Sequence, residues 1–257
     1  MTQLVSVELS RRCSKGCAFC YNTSGPSEGT SWTEADVVAF VTDCAANGVE
    51  AFSFGGGEPL ESELLWPVLA ALRGTAFRSM TTNGLPLRDP AVFDAVVAAA
   101  PDKVHVSIHF PTRLPEVERV VAQVVALADA GLTSGVNLLV RSTELDAATS
   151  AAKALHDAGV GNERIVYLPM RGGTDTPTPA QVAAVAGGKF QSTWCLSNCE
   201  KSARFVSVGA DRRVGWCSYT TSRRVLARPD HAALVEALDG LGLRYCGPER
   251  GPAPVSW

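Results

Sequence analysis

Six strand-like apolar runs alternate with helix-like periodic segments through about residue 188, and this alternation predicts an α/β protein with a parallel sheet covered by helices. Two further observations bound that prediction. The chain has 257 residues, 46% of them apolar, which is enough for one sizeable core. No internal repeat or low-complexity segment interrupts the pattern.

Strands are predicted near 3–10, 50–55, 77–82, 103–109, 134–140 and 164–169, and helices near 34–47, 61–73, 89–99, 115–130, 144–158 and 178–186. Thr33 caps the first helix and Gly48 stops it. The helix beginning at Glu116 repeats Val and Leu at three- and four-residue steps and stops at Gly131. From about residue 190 the alternation ends. Ala203–Trp216 reads as two short β-type runs around a Gly/Asp turn, a hairpin, and His231–Leu241 as a helix. The chain therefore divides into residues 1–190 and a C-terminal extension, 191–257.

A net charge of −3 argues against general nucleic-acid binding, and no apolar run is long enough to span a membrane. The N-terminus lacks a basic region followed by an apolar core, so no secretory signal is expected. The eight cysteines cluster in metal-type spacings, which suggests reduced thiols and a cytoplasmic protein. Cys44 follows Val37 and Val41 at helical spacing and reads as a core thiol.

Cys13, Cys17 and Cys20 have the spacing Cys-x3-Cys-x2-Cys. Three thiolates this close converge on one point, where they can bind three irons of a four-iron four-sulfur cluster and leave the fourth iron open to a small molecule. The alternatives are a zinc site or structural thiols, but zinc needs four ligands and no nearby His or Cys supplies a fourth. Farther on, the apolar run from Ala51 enters Gly55-Gly56-Gly57-Glu58-Pro59. Glycines permit close backbone approach and positive φ, and their amides can face a charged ligand.

With these two motifs in this order, the chain resembles the radical S-adenosylmethionine (radical SAM) enzymes. The resemblance implies a partial (β/α)6 TIM-like barrel with its site at the C-terminal strand ends. It implies that the open iron chelates SAM, and that an electron from the cluster cleaves SAM to a 5′-deoxyadenosyl radical. Tyr21, after the third Cys, fits the family, and contacts to the SAM amino group carry over to Gly56, Gly57 and Glu58. Asn83 lies in the Thr-Asn-Gly that often ends the third strand, although Asn-Gly alone reads as a turn. Alternation puts His105, Ser107 and His109 on one strand face. Ser107 matches a SAM-contacting serine. His109 departs from the Asp usual there, and is either a substrate contact or proton donor, or a hydrogen-bonded core histidine. Asn137 and Arg141 are candidates for the ribose and carboxylate of SAM, against a rim polar pair, and the segment from Leu168 for the adenine ring.

Cys199 and Cys217 bracket the predicted hairpin, with Cys195 one helical turn upstream and Cys246 beyond the last helix. This resembles the SPASM/twitch extension, which implies a second, auxiliary 4Fe–4S cluster. A ligand before the hairpin departs from the usual order, and structural zinc or unligated thiols are the alternatives. The resemblance implies hydrogen abstraction from a substrate, then net oxidation or cross-linking of a peptide side chain, as in maturation of ribosomal natural products. An alternative is oxidation of a small alcohol or aminocyclitol, and a different class is an iron–sulfur electron carrier. The implied partners are a peptide or small-molecule substrate and an external flavodoxin- or ferredoxin-type electron donor.

Overall fold

The computed structural model describes residues 2–171, 174–191 and 204–243. Nine strands are present among them: β1 (Leu4–Ser10), β2 (Ala51–Gly56), β3 (Phe77–Thr82), β4 (Lys103–Ile108), β5 (Ser134–Val140), β6 (Ile165–Pro169), β7 (Phe205–Val208), β8 (Arg213–Gly215) and β9 (Arg224–Val225). The helices are α1 (Glu34–Ala46), α2 (Leu65–Ala71), α3 (Pro90–Ala99), α4 (Leu114–Asp129), α5 (Leu145–Asp157), α6 (Pro179–Ala186) and α7 (His231–Leu238). The described residues form two compact units, residues 2–103 with 204–243, and residues 104–171 with 174–191.

In the first unit the strands run in the order β3-β2-β1-β7-β8-β9. The first four are mutually parallel, and β8 and β9 continue the sheet antiparallel. The predicted hairpin is therefore present, but its first strand pairs with β1, Leu4 opposite Phe205 and Val7 opposite Val208. Sequence periodicity cannot reveal such a pairing, because partner choice is non-local.

Period-two alternation gives this sheet two unlike faces. Val5, Val7, Leu9, Phe52, Phe54, Met80, Val206 and Val208 are all buried, as are the apolar stripes of α1 (Val37, Phe40, Val41) and α2 (Leu65, Val68, Leu69). The other face carries a row of small hydroxyls, Ser79, Ser53, Ser6 and Ser207, in register across four strands, with Glu8 and Ser10 beyond it. One side chain breaks the apolar set. Arg78 is 4% exposed and donates to the carbonyls of Leu69 and Ala100 and to Asp102. It satisfies carbonyls left over where α2 and α3 end, and Ala100 closes α3 in the left-handed region at φ 45°.

In the second unit β4, β5 and β6 are parallel, with β5 in the middle. All but one residue of β5 are buried, as expected of a strand covered on both faces. Thr178 and Gln181 form a capping box at the start of α6, and Gly187 ends it at φ 64°.

Candidate functional site in two sets of residues

The segment between β1 and α1 carries the three cysteines, and its path is fixed by backbone. Arg11 and Gly25 exchange contacts through Gly25 N→Arg11 O (3.0 Å), and Cys13 N donates to Gly25 O at 3.0 Å. Cys20 N donates to Cys17 O at 3.0 Å, closing a tight turn between those thiols. Gly16, at φ 52°, lets the chain turn back between Cys13 and Cys17.

This segment is seated on the glycine strand. Gly57 N donates to Ser10 O at 2.7 Å and Glu58 N to Arg12 O at 2.8 Å. A Cβ on Gly56 would lie 2.4 Å from Ser10 O, and one on Gly57 2.1 Å from Arg12 O. Both partners are backbone, so the two glycines are required by close approach of the cysteine segment itself. Ser14 adds a side-chain anchor, its hydroxyl donating to Glu61 at 2.5 Å and its amide at 3.0 Å.

Glu58 is buried beneath this contact. Its carboxylate accepts from Thr82 Oγ1 (2.6 Å), Leu60 N (3.1 Å) and Asn83 N (2.7 Å). Burial pushes the carboxyl up to about 7, although the three donors pull the other way. Those donors make Glu58 a clamp that orders the Thr82-Asn83-Gly84 turn. Within that turn Leu85 N donates to Asn83 Oδ1 at 2.8 Å, and Asn83 Nδ2 sits 3.6 Å from the Cys13 sulfur.

The donor chemistry fits an iron–sulfur cluster. Cys13, Cys17 and Cys20 are unbridged and half-buried on one loop, and the amide of Asn83 is directed at one sulfur, the kind of hydrogen bond that tunes a thiolate-bound cluster. Among the described residues no three His, Cys, Asp or Glu side chains form a group able to hold a single metal ion. Thiolates that each bind a separate iron need not crowd that closely. Tyr21 extends from the third cysteine, with its ring 4.9 Å from that of Tyr219.

The remaining expected residues are in the second unit. Ser107 is buried on β4 and lies opposite Asn137 of β5. Asn137 Oδ1 and His105 Nδ1 are 3.0 Å apart, so Asn137 is tied to a histidine on the neighbouring strand. His109 is the first residue after β4 rather than its last, and its backbone amide donates to Glu116 of α4 at 2.7 Å. Arg141 likewise follows the end of β5 and forms an ion pair with Asp175 at 3.4 Å. Asp175 also accepts from Thr143 Oγ1 at 2.7 Å, an acidic anchor that sequence reading missed because it is distant along the chain. Leu168 is on β6, opposite Leu139.

Of the four C-terminal cysteines, Cys217 lies just after β8, where its sulfur accepts from Tyr219 N at 3.4 Å. Cys195, Cys199 and Cys246 fall outside the described residues.

The Radical SAM superfamily model matches residues 7–177, and the chain belongs to that family. Members use a 4Fe–4S cluster and S-adenosylmethionine. A probable GTP 3′,8-cyclase of Methanocella arvoryzae is 32% identical over 102 residues, 40% of this chain and 33% of the relative. That of Methanosarcina mazei is 31% identical over 108 residues, 40% of this chain and 31% of the relative. The matched region thus spans about a third of these curated relatives. Among solved structures, Streptococcus suis SuiB bound to S-adenosylmethionine matches with a TM-score of 0.72 at 12% identity, covering 94% of this chain and 67% of that one. Native anSMEcpe with bound AdoMet and peptide matches with a TM-score of 0.66 at 14% identity, covering 91% and 81%. These likenesses establish the α/β fold and its parallel strands. No helix among the described residues is long and apolar enough to cross a membrane.

Proposed function

We propose that this radical SAM enzyme modifies a peptide side chain by net oxidation or cross-linking. The cluster and SAM together supply the 5′-deoxyadenosyl radical that removes one substrate hydrogen. Cys13, Cys17 and Cys20 hold the cluster, and Gly56 and Gly57 seat the loop that carries them. Glu58 orders the turn from which Asn83 reaches Cys13 Sγ. Ser107, Asn137, Arg141 and Leu168 bind SAM, and His109 faces the substrate. Residues 191–257 act as an auxiliary-cluster extension in which Cys217 joins Cys195, Cys199 and Cys246. A flavodoxin- or ferredoxin-type protein delivers the electron.

One observation carries the peptide reading: the likeness to SuiB and anSMEcpe runs over more than nine-tenths of this chain, the C-terminal part included. SuiB has also been solved with its precursor peptide SuiA, and anSMEcpe with a peptide. Oxidation of a small alcohol or aminocyclitol is the second reading, favoured by the row of small hydroxyls on one face of the first unit's sheet.

The test is anaerobic reconstitution with iron, sulfide and a strong reductant. The parent should convert SAM to 5′-deoxyadenosine, and a variant with Cys13, Cys17 and Cys20 all changed to Ala should not. Equal product from both would remove the assignment of these cysteines. Candidate peptides, aminocyclitols and GTP are then supplied in turn. A mass change confined to an aminocyclitol or to GTP would displace the peptide reading.

A further inference from the structure

The first unit contains a cavity of about 210 Å³ between the cysteine segment and the chain beyond β8. Pockets for drug-sized ligands are typically about 300–1,000 Å³, so this one suits a single small ring or one extended side chain. Its floor is Glu8, on the hydroxyl-bearing face of β1, only 3% exposed. Tyr21 and Tyr219 form one wall with rings 4.9 Å apart, and residues 218–221 add hydroxyls. The cavity is bracketed in sequence by Cys20, just before Tyr21, and Cys217, just before Ser218.

The charges on the cavity wall are unevenly satisfied. Arg11 is paired with Asp211 at 3.0 Å. Arg223 is engaged by the carbonyls of Arg213, Cys217, Ser218 and Thr220. Among the described residues, the hydrogen bond to the Glu8 carboxylate is a long one, from Ala210 N at 3.4 Å. A carboxylate taken out of water without a cation is costly, and pairing it recovers much of that cost. A cation arriving beside the tyrosine faces would meet their quadrupoles as well.

We propose that this cavity binds a primary ammonium group of the substrate, with Glu8 as its counter-ion and Tyr21 and Tyr219 as its aromatic wall. The proposal deepens the reading above and rests on it in taking the bound amine to be substrate. The same chemistry is offered by a lysine side chain of a peptide and by an aminocyclitol. Among the described residues, Arg11 directs its Nη2 at Asp211 while its Nε is buried without a partner, and Arg223 is engaged by backbone carbonyls, so neither is paired with the Glu8 carboxylate within 4 Å.

Binding to the anaerobically reconstituted full chain tests this without turnover. Calorimetry would compare N-acetyl-lysinamide with N-acetyl-norleucinamide, and 2-deoxystreptamine with scyllo-inositol. Each pair has similar bulk, and only the first member carries an ammonium. An ammonium preference of at least about tenfold in either pair is expected, and it should vanish in Glu8→Gln. The pair that shows the preference identifies the source, peptide or aminocyclitol. Equal binding within both pairs, or a preference that survives Glu8→Gln, overturns the proposal. If Glu8→Gln fails to fold, Tyr219→Leu decides: a preference reduced several-fold supports the site, and an unchanged one overturns it. SAM cleavage by the same parent preparation reports separately on the family chemistry, so the two failures cannot be confused.

Discussion

The Arg11 guanidinium donates to Asp211 at 3.0 Å across 200 positions of sequence. Arg11 begins the cysteine segment, and Asp211 lies in the turn between β7 and β8. The same turn receives Ser31 N at Ala210 O (2.8 Å), and its Arg212 pairs with Asp36 of α1 at 2.9 Å. The C-terminal hairpin thus grips the cysteine segment at both ends, and several predictions concern how firmly that segment is held.

Asp211→Ala removes the Arg11 pair and the acceptor for Arg213 N. Both ion-pair partners are about one-third exposed, so the stability cost should be small, under about 1 kcal/mol. The larger effect should be on the cluster, which should lose iron to a chelator several-fold faster than in the parent. Iron release followed by absorbance measures this, and an unchanged rate would mean that the hairpin does not restrain the loop.

Gly57→Ala places a methyl 2.1 Å from Arg12 O, where only backbone can yield. Overpacking of this kind costs about 1–3 kcal/mol. We expect reduced iron content after reconstitution together with a lowered Tm. Gly29→Ala, with nothing within 4 Å of its added Cβ, is the control and should match the parent in both.

Glu58 gives a pH dependence of definite sign. Its folded pKa, about 7, lies above the ordinary 4.5, so the fold prefers the protonated form. Its contribution is fully present below about 4.5 and is lost as pH rises through about 7, on the order of 3 kcal/mol in all. Denaturant melts of the apo chain from pH 4.5 to 8 should show stability falling over that window relative to Glu58→Gln. Parallel curves for the two proteins would refute the shift.

The C-terminal cysteines can be tested by metal count. About eight irons per chain in the parent and about four in a Cys199→Ala/Cys217→Ala variant is the expected result for two four-iron clusters. Mössbauer spectroscopy with zinc analysis makes the measurement. About four irons plus one zinc in the parent would instead assign a structural zinc.

Much of this architecture was legible because it is local. The six βα units, the Thr33 cap and the Gly131 stop follow from periodicity and capping, and the predicted element ends lie within a few residues of those observed. The short 3-10 turn Pro59–Glu61 and the later start of α2 were not legible, because Glu58 caps that turn through a tertiary network. The cysteines and glycines announced themselves as motifs, whereas their contact with each other did not. Arg78 shows the limit most clearly. Arginine is a residue type found mostly at the surface, yet this one is buried because three carbonyls and Asp102 surround it. Asp175 and Asp211 were missed for the same reason, since each acts on a residue far away in sequence.

The pairing of β7 with β1 also bears on how the protein is born. The strand that leads into the cysteines leaves the ribosome well before its neighbour on one side, which is made some two hundred residues later. At about 5–20 residues per second, synthesis leaves that edge open for roughly ten seconds or more. Until then the nascent thiols hang from a loop lacking one of its clasps, while exposed strand edges invite wrong pairing. Assembly of the metal centre is therefore tied to translation: a cluster built before the hairpin emerged would sit on a loop that still lacks its Asp211 and Arg212 clasps.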